Sequence, residues 1–232
     1  MPISRVDDQE VMPAGAQPGC TVPGLTGVVD GDFVLHLFAM LSTTATVAEP
    51  VPGLTVRGDA SSGSSLSARL RSRAAAAEPA TYDWGLGTSV KNAAWAAAYR
   101  GVDPAAPVAA AQMVAGVAGA TQTTPPVDVP NGGWLVYGVA TRHTPGAAGV
   151  ASWSSSAPSE ARRANLATNA GSADITMAVF DSAGSLSAAT GVTRTLTSSM
   201  SEQNAVVFAI VLRPAAAPIA PFADPTPGLP VF

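Results

Sequence analysis

At 232 residues the chain has room for one large or two small domains, and its 47% hydrophobic content, much of it alanine, suffices for a core without staples. Charged residues make up only 12% and the formal net charge is -4, with Lys91 the one lysine, so the basic footprint of a nucleic-acid binder is missing. The 22 Gly and 20 Pro favour many short strands over long helices, and no stretch has the about 20 apolar residues of a membrane-spanning helix.

Cys20 is the only cysteine, which excludes an intrachain disulfide and a cysteine-based zinc site. The first ten residues lack the apolar stretch of a secretory leader, so the expected site of synthesis is a cytoplasm. Residues 1–25 are broken by Pro2, Pro13, Pro18 and Pro23 and read as an extended N-terminal arm crossing a surface. Gly31-Asp32 then opens an apolar strand from Phe33 to Leu41. Val34, His36, Phe38 and Met40 face one way; Phe33, Leu35, Leu37 and Ala39 face the other. With both faces mainly apolar it belongs inside a sheet. Thr55 to Arg57 forms a short strand, and residues 61–65 a loop. Leu66 to Ala74 alternates leucine and alanine with serine and arginine, the signature of a half-exposed strand with solvated Arg69, Arg71 and Arg73. Alanines 74–77 favour helix on propensity alone, but their Ser, Pro and Gly neighbours would keep it short. Thr81 to Trp84 starts a further strand, and Asn92 to Arg100 is a second inner one.

From Asp103 to Pro130 the chain is rich in Ala, Gly and Pro, with a strand near Val114 to Thr121. Asn131-Gly132-Gly133 marks a turn, and Trp134 to Thr141 then resembles the Phe33 strand. Strands at Ala161 to Thr168, Ile175 to Phe180 and Thr193 to Thr197 follow, and Val206 to Leu212 is the most apolar run of the chain. The order of apolar strand, polar strands, Thr-bearing strand and apolar strand therefore occurs twice, about a hundred residues apart. It predicts an all-β sandwich or jelly roll of two similar halves over residues 26–213. Residues 214–232 are Pro-rich and predict a C-terminal arm, with Ile219, Phe222, Leu229 and Phe232 as apolar anchors for docking on another subunit.

No motif announces chemistry. The sequence has neither a P-loop nor a nucleophile elbow, and no cofactor, metal site or catalytic residue is expected. His36 reads as a core or interface residue and His143 as a loop residue. Asp7, Asp8 and Glu10, Asp30 with Asp32, and Asp174 with Asp181 lack calcium-loop spacing and read as solvated turns. Arg57-Gly58-Asp59 matches an integrin-type tripeptide and reads as a turn. Trp95 and Trp134 fall in inner-strand patterns. Trp84, at a strand end, and Trp153, in a Ser-rich loop, are the candidates for surface contact with a glycan, where flat rings stack on sugar faces.

The Ala-Thr-Tyr-Asp-Trp stretch, then Ala94-Trp95-Ala96-Ala97-Ala98-Tyr99-Arg100-Gly101-Val102-Asp103-Pro104, and the closing Val206 to Pro214, resemble sandwich modules in virion proteins of tailed phages infecting actinobacteria. The resemblance spans residues 28–214. It implies a non-enzymatic structural protein of the virion, most simply a minor tail or tail-tip protein, with a capsid decoration protein as the near variant. A carbohydrate-binding module is the alternative from a different class, and a hydrolase the third. Other virion proteins and further copies of the chain are the implied partners, with host-surface glycan as an additional one. Nucleic acid and membrane insertion are not implied.

Overall fold

The computed structural model describes residues 2–143, 152–167 and 174–216, and among these residues there is no helix. The first half of the chain forms β1 (Ser4–Val11), β2 (Gln17–Pro23), β3 (Phe33–Met40), β4 (Val47–Ala48), β5 (Thr55–Ser62), β6 (Leu66–Ala74), β7 (Thr81–Val90) and β8 (Asn92–Arg100). The second forms β9 (Val108–Ala115), β10 (Gly119–Thr123), β11 (Val127–Val129), β12 (Trp134–His143), β13 (Trp153–Ser155), β14 (Ala161–Ala167), β15 (Ile175–Asp181), β16 (Ala189–Val192) and β17 (Thr195–Leu212).

The apolar strands take the middle of two antiparallel sheets. One sheet runs β1-β8-β3-β6-β5; the other runs β17-β12-β15-β14, with β9 along the C-terminal part of β17 and β10 along its N-terminal part. The two sheets pack face to face. Phe33, Leu35, Leu37, Trp95 and Tyr99 of one meet Trp134, Val136, Met177, Phe208 and Ile210 of the other in the main core. The opposite side of each sheet is also covered. Phe38, Met40 and Ala96 lie under the sheet β2-β7-β4, through Val22, Tyr82 and Trp84. Tyr137, Val139 and Phe180 lie under Val127, Val129, Trp153 and Leu196. The result is a β-sandwich with an outer layer on each side. Strands with water on neither face need no polar alternation, which is why β3 and β8 read as continuous apolar runs.

The two halves share one pairing scheme. Leu35 sits between Ala97 and Ser72; in the second half Val136 sits between Ile210 and Asp181. The β-bulges coincide as well. Val6 is the unpaired residue of β1 and Ala109 that of β9; Arg57 is the unpaired residue of β5 and Arg163 that of β14. The halves differ where β7 and β8 are separated at Lys91, whereas β17 runs unbroken through the equivalent region. They also differ in packing: Trp95 lies opposite Leu37, but Phe208 lies opposite Gly138, where an added Cβ would come within 2.8 Å of the phenylalanine ring.

Several expectations are corrected. Residues 4–23 are not an arm: β1 is the edge strand beside β8, and β2 is the edge strand beside β7. Pro18 stands at a bulge and Pro23 at the end of β2, positions where a missing N–H breaks no ladder. The polar side of β6 is not solvated. Arg71 is only 2% exposed, held by Glu49 at 2.6 Å and Asp59 at 2.8 Å. Arg57-Gly58-Asp59 lies within β5 rather than in a turn. After Ala74 the chain turns instead of coiling, with the Ala75 N–H bonded to the Asp32 carbonyl and Ala77 at a φ of 49°. At the other end, Pro214 bridges to Val102 and the Ala215 N–H donates to the Gly101 carbonyl. Ile219, Phe222, Leu229 and Phe232 lie outside the described residues.

Candidate functional site

The two tryptophans expected at the surface are both in the core. Trp84 is 2% exposed and stacks on Phe38, ring centroids 4.7 Å apart; Trp153 is 1% exposed and points its Nε1 at the Thr176 hydroxyl, 3.4 Å away. Neither presents a face to a sugar. Trp153 is hard to place from sequence because β13 is only three residues long and its flanking serines face outward, hiding the alternation.

Three of the expected turn carboxylates, Asp32, Asp174 and Asp181, are instead in buried ion pairs. Asp32 takes both Nε and Nη2 of Arg100, at 2.9 and 2.7 Å. Asp181 is likewise held by Arg163, at 2.7 and 2.8 Å, and Asp174 is paired with Lys91. Burial alone would raise the Asp32 pKa, but the hydrogen bonds from Arg100 and the Val29 N–H outweigh it and hold the carboxyl below its ordinary value. Asp8 goes the other way: burial dominates over the charges of Arg5 and Arg163, and its pKa is raised. No group of three or more His, Cys, Asp or Glu side chains suited to a metal ion occurs among the described residues.

His143 closes β12 and is buried, not in a loop. Its Nδ1 lies 3.3 Å from one oxygen of Glu202, and the Ser198 hydroxyl donates to the other oxygen at 3.1 Å. Serine, histidine and acid thus meet, but the hydroxyl binds the acid directly rather than the imidazole. A relay that strips the serine proton through histidine needs the opposite order.

The surface offers grooves and flanks. A groove of about 260 Å³ is lined by Met40, Thr43, Asp59, Ser61, Ser67 and Arg69. A second groove, about 350 Å³, lies on the other half and is lined by Trp153, Ser155, Pro158, Glu160, Arg162 and Phe180. The second opens at the short outer strand β13. In the second groove Glu160 is committed to Arg194, through contacts of 3.0 and 2.5 Å, and to the Tyr137 hydroxyl.

The flanks are the sides of the sandwich where edge strands of the two sheets meet. On one, β1 lies by β14 and the edge is charged: Arg5, Asp7, Asp8 and Glu10 from β1, Arg162 and Arg163 from β14. The other joins β5 to β9, so closely that a Cβ on Gly58 would fall 2.6 Å from that of Met113. Here β9 supplies alanines, Met113 and Val114. Val56 and Val114, next to this contact, are 58% and 41% exposed. Edge strands in soluble proteins are commonly guarded by charges, and β1 is so guarded while β9 is not. Sequence alternation alone had not singled out this flank, because the two strands that build it lie far apart in the chain.

No protein-family model matches this chain, no curated protein matches it in sequence, and no solved structure matches it in fold.

Proposed function

We propose that this chain is a non-enzymatic structural protein of a phage virion, most simply a minor tail or tail-tip protein, that works through protein–protein contacts. The observation that carries this reading is the β5/β9 flank, where exposed Val56 and Val114 flank a contact between two edge strands and no charge guards β9. The sequence resemblance to virion sandwich modules supports the particle setting. The strand orders β1-β8-β3-β6 and β2-β7-β4 support a finer architectural reading, in which the first half is a jelly roll of eight strands and the second repeats its pairing scheme. A capsid decoration protein would use the same surfaces. Glycan contact loses its two proposed tryptophans.

Mass spectrometry of purified particles, separated into capsid and tail fractions, tests this directly. The chain is expected in the tail fraction at a fixed copy number. Recovery in the capsid fraction would favour decoration instead, and absence from both would overturn the virion reading.

A further inference from the structure

Arg57 and Arg163 occupy the same bulge in the two halves, but their surroundings differ in charge. Arg163 is met by the Asp181 carboxylate, with Asp8 of β1 nearby. The pairing scheme places Ser72 where Asp181 stands and Ala111 where Asp8 stands. Arg57 accordingly has one hydroxyl, its Nε donating to Ser72 Oγ at 2.7 Å, and forms no ion pair among the described residues. Burial lowers its pKa with no carboxylate to offset the effect, whereas at Arg163 burial is outweighed by Asp181 and Asp8. Beside Arg57 lie the exposed Val56 and the Met113–Val114 edge of β9.

We propose that the β5/β9 flank is a self-association surface at which Arg57 receives a carboxylate from a second copy of this chain. Val56 and Val114 stand on the outer faces to either side of this flank, and arginine is enriched among the residues that dominate protein contacts. Its planar fork takes a carboxylate through two parallel hydrogen bonds. The complementary charge is present on the chain itself. It has 16 acidic residues against 12 basic ones, and Asp30, Asp83 and Asp128 are exposed and in no ion pair among the described residues. The proposal deepens the assembly reading above and can fail separately from it.

Sedimentation velocity over a concentration series tests it, at about 50 mM and roughly 0.5 M salt. Three proteins are compared: the full chain, Arg57→Ala, and Ser72→Asp. The last places a carboxylate where Asp181 stands in the other half, completing Arg57 within its own chain. The full chain is expected to associate with concentration, less so at high salt. Both variants are expected to associate at least about tenfold more weakly. If Ser72→Asp does not fold, Arg57→Ala decides alone. A full chain that stays monomeric, or variants that associate as it does, would overturn the proposal. A monomeric chain still found in particles removes self-association and leaves the virion reading; an oligomer absent from particles does the reverse.

Discussion

Replacing His36 by leucine is expected to remove most of the fold's sensitivity to mild acid. His36 lies in the middle of β3 with no exposed surface, its ring edge-on to Tyr82 at 4.8 Å and to Trp84 at 6.4 Å, and neither ring nitrogen is hydrogen-bonded. Burial first, and the Arg73 charge second, push its pKa from 6.5 down to about 3. The unfolded chain therefore takes up a proton that the folded chain refuses between these two values. Its contribution to stability is complete above pH 6.5 and is lost progressively as the pH falls towards 3. Over the two units from pH 6.5 to 4.5, at about 1.4 kcal/mol per unit, the loss is about 2.7 kcal/mol. Leucine is close to imidazole in volume and replaces two unpaired polar atoms, so at pH 7.5 the variant is expected to match the parent within about 1 kcal/mol or exceed it. Urea unfolding followed by tryptophan fluorescence, at pH 7.5 and 4.5, measures both quantities. The loss on acidification should be about 2.7 kcal/mol smaller in His36→Leu than in the parent. Groups common to both proteins cancel in that difference. An equal loss in the two would refute the reasoning.

Two further substitutions test the core assignments. Asp181→Asn leaves the partly buried Arg163 guanidinium facing a neutral amide and should lower the unfolding free energy by about 3 kcal/mol, read from the urea midpoint. Trp153→Ala should cost about 3 to 5 kcal/mol, because the side chain fills the second outer layer; a variant that unfolds like the parent would return Trp153 to the surface.

What the sequence disclosed depended on how many faces of a strand are covered. β3, β8, β12 and the end of β17 are buried on both sides, so their apolar runs marked them without ambiguity, and the two faces of β3 were assignable from alternation. Edge strands gave no such signal. β1 pairs on one side only and tolerates Arg5, Asp7, Asp8 and Glu10, so it reads as a polar lead-in. β2 tolerates two prolines for the same reason. The ion pairs were illegible because their partners are distant in sequence: Asp32 with Arg100, Lys91 with Asp174. An aspartate beside a turn looks solvated until a guanidinium from another strand is placed against it. The difference between Arg57 and Arg163 needed strand register before the two could be compared at all.

The pairing of β1 with β8 and of β9 with β17 has a consequence for the nascent chain. Ser4 stands opposite Arg100, and Val108 opposite Leu212, so the first and last strands of each half are neighbours. On the ribosome the first sheet is able to close once β8 has emerged. Its large apolar face, with Phe33, Leu37 and Trp95, then waits for a partner until β17 has been translated. At about 5 to 20 residues per second that wait lasts roughly 5 to 20 s. During it, that face is open to any apolar surface nearby, including the same face of a second unfinished copy.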